Sequence, residues 1–330
     1  MRVSGLRLAV TISLACVSGA GFGVPVAWSG GVAASSGPIR LQPHRAIYDI
    51  SLDETGPATS IGSISGRVVY ELMGSACEGY AQNMRFVTET TNTEGQSSTT
   101  DLRTSSWEDV PGRRMRFSSS TYGNDQLVEQ TQGSATKSNG NSATSAAGQN
   151  AARAAGSSQL PGQTQLPGQA VSPGQAASPS TSLLIEVTKP ERKSARIAEP
   201  VFFPIDHSVA IIRHAREGRR MFAGNLYDGS EGGEKYYFTA AAIGPATAPE
   251  DLRRLAKVNE LPKLASVRSW PVAIAYFKPE SRHTDQVPLY EMFFRFHDNG
   301  ITSHLVIDHG DYRLKGELKE LTLIEQSPCP

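Results

Sequence analysis

Between Leu41 and Gly133 turn-forming residues return at intervals of about ten, and strands separated so briefly can pair only as an antiparallel meander, because parallel crossovers need a dozen or more residues. The turns are Thr55-Gly56-Pro57, Met73-Gly74-Ser75, Thr93-Glu94-Gly95, Val110-Pro111-Gly112 and Tyr122-Gly123-Asn124. They separate the runs HRAIYDISL, GRVVYEL, AQNMRFVTETT, SSTTDLRTSSW, RRMRFSSSTY and QLVEQTQG. These runs are rich in Val, Ile, Thr, Tyr and Phe, whose branched or planar side chains fit a pleated surface. Within the third, Met84, Phe86 and Thr88 share one face while Arg85, Val87 and Glu89 share the other. Many faces rich in Ser and Thr predict a sheet with one side in water.

From Ser134 to Ser182 the character changes. This tract has no aromatic residue and only Lys137 and Arg153 as charges, so it cannot bury enough apolar surface to offset the entropy of ordering it. The expectation is a disordered insertion between neighbouring strands, an arrangement that costs little once a loop is long. Inside it Pro161-Gly162-Gln163, Pro167-Gly168-Gln169 and Pro173-Gly174-Gln175 repeat without apolar rungs, which reads as linker rather than β-helix. Ser134-Ala135-Thr136-Lys137 matches the S-x-x-K of serine enzymes that use a lysine partner, but the companion S-D-N and K-T-G elements are missing.

Beyond the insertion, SLLIEVTKP (Ser182 to Pro190) reads as a strand. PIDHSVAIIRHAREG supplies Pro204, an expected N-cap at Asp206, apolar residues at Val209, Ile211, Ile212 and Ala215, and a stop at Gly218, which together predict a helix. A strand pair joined through Tyr227-Asp228-Gly229 follows, then a weaker helix over Pro249 to Asn259. The C-terminal third returns to strands, with Asp298-Asn299-Gly300 as its hairpin turn.

The N-terminus has Arg2 and Arg7, an apolar stretch from Leu8 to Val17, and then small residues, the pattern of a secretory signal peptide. Cleavage is expected after Ala20 or after Ala34, leaving a single domain over 35–330 with no transmembrane span. Lys plus Arg and Asp plus Glu number 32 each, and the first 34 residues hold two arginines and no acid. The remainder is therefore slightly acidic and lacks the basic footprint of a nucleic-acid-binding protein. Of three cysteines, Cys16 would leave with the leader. That leaves Cys77 and Cys329 in an oxidising compartment, where such a pair is expected to form a disulfide; two free thiols or a metal site are the alternatives. A bridge closing a loop of roughly 250 residues would stabilise the fold by at most about 5 kcal/mol.

Candidate chemistry is sparse. His297, His304 and His309 surround the Asn299-Gly300 turn with Asp308 beside them, and His207 and His214 lie seven apart on the expected helix. Neither spacing is that of a metal site, so the expectation is solvated strand-end and helix-surface histidines. Nucleophile-elbow, Walker and Rossmann patterns are missing, and GSISG at 62–66 has Ile64 where a nucleophile would stand. The expectation is no enzyme, no cofactor and no metal. Tyrosines punctuate the strands, Tyr48, Tyr70, Tyr237, Tyr276 and Tyr290 among them. They are expected as core and cross-strand partners, although a curved sheet lined with aromatics can also enclose an acyl chain.

Several stretches carry a resemblance: HRAIYDISL, GRVVYELMGSACEGY, Phe203-Pro204 leading to His207, LYDGS at 226–230, Trp270-Pro271, PLYEMFFRF, HDNGITSHLVIDHGDYRLKG and the terminal Cys329. Together they resemble the periplasmic cell-envelope integrity family typified by EipB, over nearly all of the chain except the insertion. The resemblance implies an all-β fold, an antiparallel β-spiral or partly closed barrel of about fourteen strands with one or two packed helices. It also implies that Cys77 and Cys329 form one disulfide, and that the protein supports envelope integrity in the periplasm in cooperation with a tetratricopeptide-repeat protein. It offers no catalytic residue. Two functions follow as expectations: protein–protein binding through a strand edge or apolar groove, or carriage of a lipid or glycolipid.

Overall fold

A computed structural model describes residues 37–138, 182–247, 264, 266–279 and 287–326. The expected leader, the segment 139–181 of the insertion, the second helix over 249–259 and Cys329 lie outside the described residues. Eight strands precede the helix: β1 (His44–Thr55), β2 (Ile61–Ser75), β3 (Gly79–Asn92), β4 (Ser97–Glu108), β5 (Arg114–Gly123), β6 (Gln126–Ser138), β7 (Ser182–Lys189) and β8 (Lys193–Ile197). After α1 (Pro204–Arg216) come β9 (Met221–Leu226), β10 (Tyr237–Ile243), β11 (Ser269–Phe277), β12 (Tyr290–His297), β13 (Thr302–Asp308) and β14 (Tyr312–Leu323).

All fourteen strands form one antiparallel sheet in the order β8-β7-β6-β5-β4-β3-β2-β1-β14-β13-β12-β11-β10-β9. Every neighbour is also a neighbour in sequence except β1 and β14, so two meanders are joined along one seam. That seam is long: His44 faces Leu323 at one end and Thr55 faces Tyr312 at the other. The sheet does not close through a β8–β9 ladder. Instead the chain leaving β8 forms one isolated bridge beside β9, where Phe202 N–H donates to Asn225 O at 2.7 Å and Tyr227 N–H donates to Phe202 O at 2.9 Å. The expected architecture, an antiparallel and incompletely closed sheet of fourteen strands carrying a helix, is the one observed.

Two boundaries differ from expectation. Ser134 to Ser138, read as the start of the disordered insertion, completes β6 and pairs with β7 from Ser134↔Glu186 to Ser138↔Ser182. Cross-strand partners decided this: Ala135 is buried in a cluster with Met115, Phe117 and Ile185, so alternate burial outweighs the low apolar content of the tract. The helix begins two residues before the expected cap, at Pro204, with Phe203 as N-cap and Asp206 inside the first turn. Proline at the first helical position has no N–H to leave unpaired. The short β8 had no signal in the sequence.

Three apolar clusters fill the concave side. One packs α1, through Ile205, Ile211 and Ile212, against Trp270, Phe294 and Phe296. The second joins Ile50, Ile64 and Val68 to Leu314 and Leu318 across the seam. In the third, Phe203 and Tyr227 pack against Phe117, Leu183 and Ile185.

A lumen beneath a helix fastened at both ends

The helix is held at both termini by groups from one end of the sheet. At its N-terminus the Glu108 carboxylate, at the end of β4, accepts the Ile205 N–H at 2.9 Å. Lys137, near the end of β6, pairs with Asp206 at 2.9 Å and lies 4.2 Å from the centroid of the Phe203 ring. At the C-terminus Arg216 binds Asp298, which follows β12, at 2.6 Å through Nε and 3.2 Å through Nη2, and donates to Gly37 O at 2.7 Å. Antiparallel pairing brings the ends of β4, β6 and β12 to the same side, so α1 lies across that end. An anion at the first turn and cations in the last also suit the helix macrodipole.

Glu108 is 1% exposed, and its Oε2 has no hydrogen-bond partner among the described residues. Burial pushes its carboxyl up to about 8, outweighing the Ile205 and Asp206 N–H groups that favour the anion.

Beneath the helix lies a cavity of about 270 Å³. Its walls come from α1 (His207, Ile211), from β1 to β3 (Tyr48, Val68, Tyr70, Met84) and from β11 to β13 (Ile274, Tyr276, Met292, Phe294, Leu305). Three polar side chains of this wall are engaged by the protein. Tyr48 O–H donates to Thr302 O at 2.7 Å, and Gln82 Nε2 donates to Tyr70 Oη at 2.8 Å. His207 Nε2 meets Thr239 Oγ1 at 2.8 Å. Because that hydroxyl donates to Gly224 O, it must accept from His207, which fixes the Nε2–H tautomer. Desolvation lowers His207 to about 4 and raises the Tyr48 phenol to about 12, so the wall is uncharged at neutral pH. Tyr276 and Tyr290, cross-strand partners, stack at 4.3 Å beside it. The tyrosines are thus the core and cross-strand partners expected, and they also line a hollow.

Two of the histidines depart from expectation. His207 is buried at 4% exposure rather than on the helix surface, and His297, expected at a solvated strand end, is 1% exposed. Their rings fill apolar volume: His207 meets Phe222 edge-on at 5.3 Å, and His297 makes one hydrogen bond, to Ser303 Oγ at 3.1 Å. Only His304 and His309 of the turn cluster are exposed. Asp308 is engaged by Arg313 at 2.9 Å, and no group of three or more His, Cys, Asp or Glu is placed to share a metal among the described residues. Glu108 had no signal in the sequence. Its position as the last residue of a strand, before Val110-Pro111-Gly112, gave no sign of a helix 97 positions later.

Cys77 sits in the turn between β2 and β3. Three residues on, the Tyr80 phenol is raised by burial, while the Leu41 backbone and the Gln326 side chain act to lower it.

Residues 35–173 and 168–325 match the model of the EipB-like family. The chain is 29% identical over 301 residues to the cell envelope integrity protein EipB of Brucella abortus (strain 2308), covering 90% of each chain. Among solved structures it is similar to a beta-barrel-like protein of a domain of unknown function from Brucella abortus, with a TM-score of 0.68 and 29% identity, covering 87% of this chain and all of that one.

Proposed function

The chain belongs to the EipB-like family, and from that premise we propose that it is a periplasmic protein that supports cell-envelope integrity by binding rather than by catalysis. Its ligand is an apolar segment, such as the end of an acyl chain, held in the lumen under α1. One observation carries this reading: a hollow lined mainly by Ile, Leu, Met, Phe and Tyr, in which the polar atoms of Tyr48, Tyr70 and His207 are already engaged. Such a wall offers a polar headgroup little beyond the Tyr276 and Ser208 hydroxyls, and burying a headgroup there with its other polar atoms unpaired would cost several kcal/mol. Volume limits the ligand further. At about 270 Å³ the hollow falls just below the roughly 300 Å³ at which small-molecule sites begin, so it suits a chain end rather than a whole diacyl lipid. The sheet edges favour the lumen over strand addition. The edge strand β8 is five residues long and carries Lys193 and Arg196, the usual devices against edge pairing, and β9 is partly covered by Phe202.

Native mass spectrometry of the protein purified gently from envelope extract tests this reading. A mono-acyl adduct that disappears in Leu305→Trp is expected; a clean protein mass with and without added lysophospholipid would remove the lumen from the function.

A protein partner, for example a tetratricopeptide-repeat protein, is a second reading, favoured by the β5–β6 hairpin tip. Leu127 and Val128 stand there at 52% and 71% exposure, an apolar pair without a structural role. Crosslinking in envelope extracts should lose a specific partner in the Leu127→Asp/Val128→Asp double variant; an unchanged pattern would rule this tip out.

Export and the Cys77–Cys329 disulfide belong to the same proposal. What favours the bridge is the chain path: Leu323 and Leu72 both pair with His44, from opposite sides of β1, so β14 leading toward Cys329 and β2 leading to Cys77 leave the sheet at the same end.

A further inference from the structure

We propose that the outer face of β3 to β6 is a binding site for an acidic oligosaccharide, independent of the lumen. Two adjacent rows of residues cross this face. In one, Ala81 faces Trp107, Trp107 faces Arg116, and Arg116 faces Ser134. In the next, Asn83, Ser105, Ser118 and Gln132 line up in the same way. Small side chains flank one large ring, leaving a depression of about 380 Å³.

The ring has a fixed seat. A Cβ on Gly79 would come within 3.1 Å of Trp107 ring atoms, so the absence of a side chain there lets the indole lie against the backbone. The Arg116 guanidinium stands 5.7 Å from the ring centroid. Its charge is what distinguishes this place. Neighbouring Arg85 and Arg103 share Asp101, and Arg114 holds Asp109, whereas Arg116 is exposed and makes no ion pair with any described residue. The acid in its own row, Glu186, lies two strands away and does not reach it.

Around this pair the donors and acceptors are neutral. Ser105 Oγ donates to Asn83 Oδ1 at 2.8 Å, which leaves the Asn83 amide nitrogen to donate outward. Ser118, Gln132 and Ser134 make no side-chain hydrogen bond with described residues. An indole plane takes the C–H face of a pyranose ring, hydroxyls and amides pair with sugar hydroxyls and acetamido groups, and a free guanidinium takes a carboxylate or phosphate bidentately. A peptide would want apolar anchor pockets, and this floor of Ser, Ala and Gly offers none.

Titration of the full chain with soluble glycan strands from peptidoglycan, and separately with deacylated lipopolysaccharide core oligosaccharide, tests the proposal by calorimetry and tryptophan fluorescence. Expected is saturable binding of at least one of the two, which also identifies the source. Emission should shift to the blue, and the shift should be lost in Trp107→Ala, which assigns it to that ring. Affinity should fall at least tenfold in Arg116→Gln, a surface change that leaves the melting temperature in place, and in Trp107→Ala. Binding of neither glycan at millimolar concentration, equal binding of a carboxyl-reduced strand, or binding unchanged in Arg116→Gln would each overturn it.

Discussion

Glu108 Oε1 accepts the backbone N–H of Ile205 at 2.9 Å, across 97 positions of sequence and from one strand end to the first turn of the helix. The cap that α1 lacks from its own residues is supplied by the sheet. A carboxyl held near 8 against about 4.3 in an unfolded chain makes that cap sensitive to pH. Because the folded value is raised, the folded state binds more protons between the two values. Its contribution is complete below the unfolded value and lost as pH rises to 8.

Between pH 6.5 and 8 this loss amounts to about 2 kcal/mol, against which each histidine lowered by burial, half protonated in the unfolded chain at 6.5, returns about 0.4 kcal/mol. Glu108→Gln keeps an oxygen for the Ile205 N–H and removes the titration. Urea unfolding at stepped pH should therefore show the parent losing about 2 kcal/mol relative to the variant over that window.

His207 and His297 set the acid side. Burial lowers both to about 4, so above the unfolded value near 6.5 the neutral fold is fully stable. As pH falls from 6.5 to 4 the unfolded state takes up protons that the fold refuses, at a cost of about 3 kcal/mol for each ring. In the Glu108→Gln background, where that carboxyl no longer gains stability over the same window, adding His207→Gln should reduce the acid-limb loss by about 3 kcal/mol, read from urea unfolding at stepped pH.

Arg216 and Asp298 are 12% and 18% exposed and meet through two hydrogen bonds. Removing either partner strands a mostly buried charge, so Arg216→Ala or Asp298→Asn should each destabilise the protein by about 2 to 3 kcal/mol. A double-mutant cycle checks that the loss belongs to the pair, since the double variant should cost little more than either single one.

If Cys77 and Cys329 are joined, intact protein denatured without reductant will resist alkylation at both thiols. Cys77→Ser should then lower stability by about 2 to 5 kcal/mol, a loss that dithiothreitol reproduces in the parent and does not deepen in the variant.

Leu305→Trp fills the lumen from β13. Added bulk recovers contacts in a hollow but strains its walls, so stability should change by no more than about 1 to 2 kcal/mol while uptake of a lysophospholipid is abolished. Retention of the ligand would place it elsewhere.

Much of the fold was legible in the amino-acid order because its information is local. Turn residues at short intervals determine that HRAIYDISL, GRVVYEL and AQNMRFVTETT become β1, β2 and β3, and Asn299-Gly300 determines the β12–β13 hairpin. A meander pairs each strand with the next, so almost every ladder joins sequence neighbours. Residues 134–138 were misread for the converse reason. Nothing within SATKS marks a strand; it is one because Ala135 finds Met115 and Ile185 on either side.

Tertiary structure alone decided the β1–β14 seam, the cap on α1, the burial of His207 and His297, and the hollow between helix and sheet. Each depends on groups far apart in the chain. Whether a glutamate at a strand end is solvated or a histidine on a helix is buried is set by what stands opposite it, and alternation along one segment carries no record of that. The same holds for volume: a list of inward-facing tyrosines and methionines gives the lining of a barrel, but its empty space follows from how far the curved sheet holds those side chains apart.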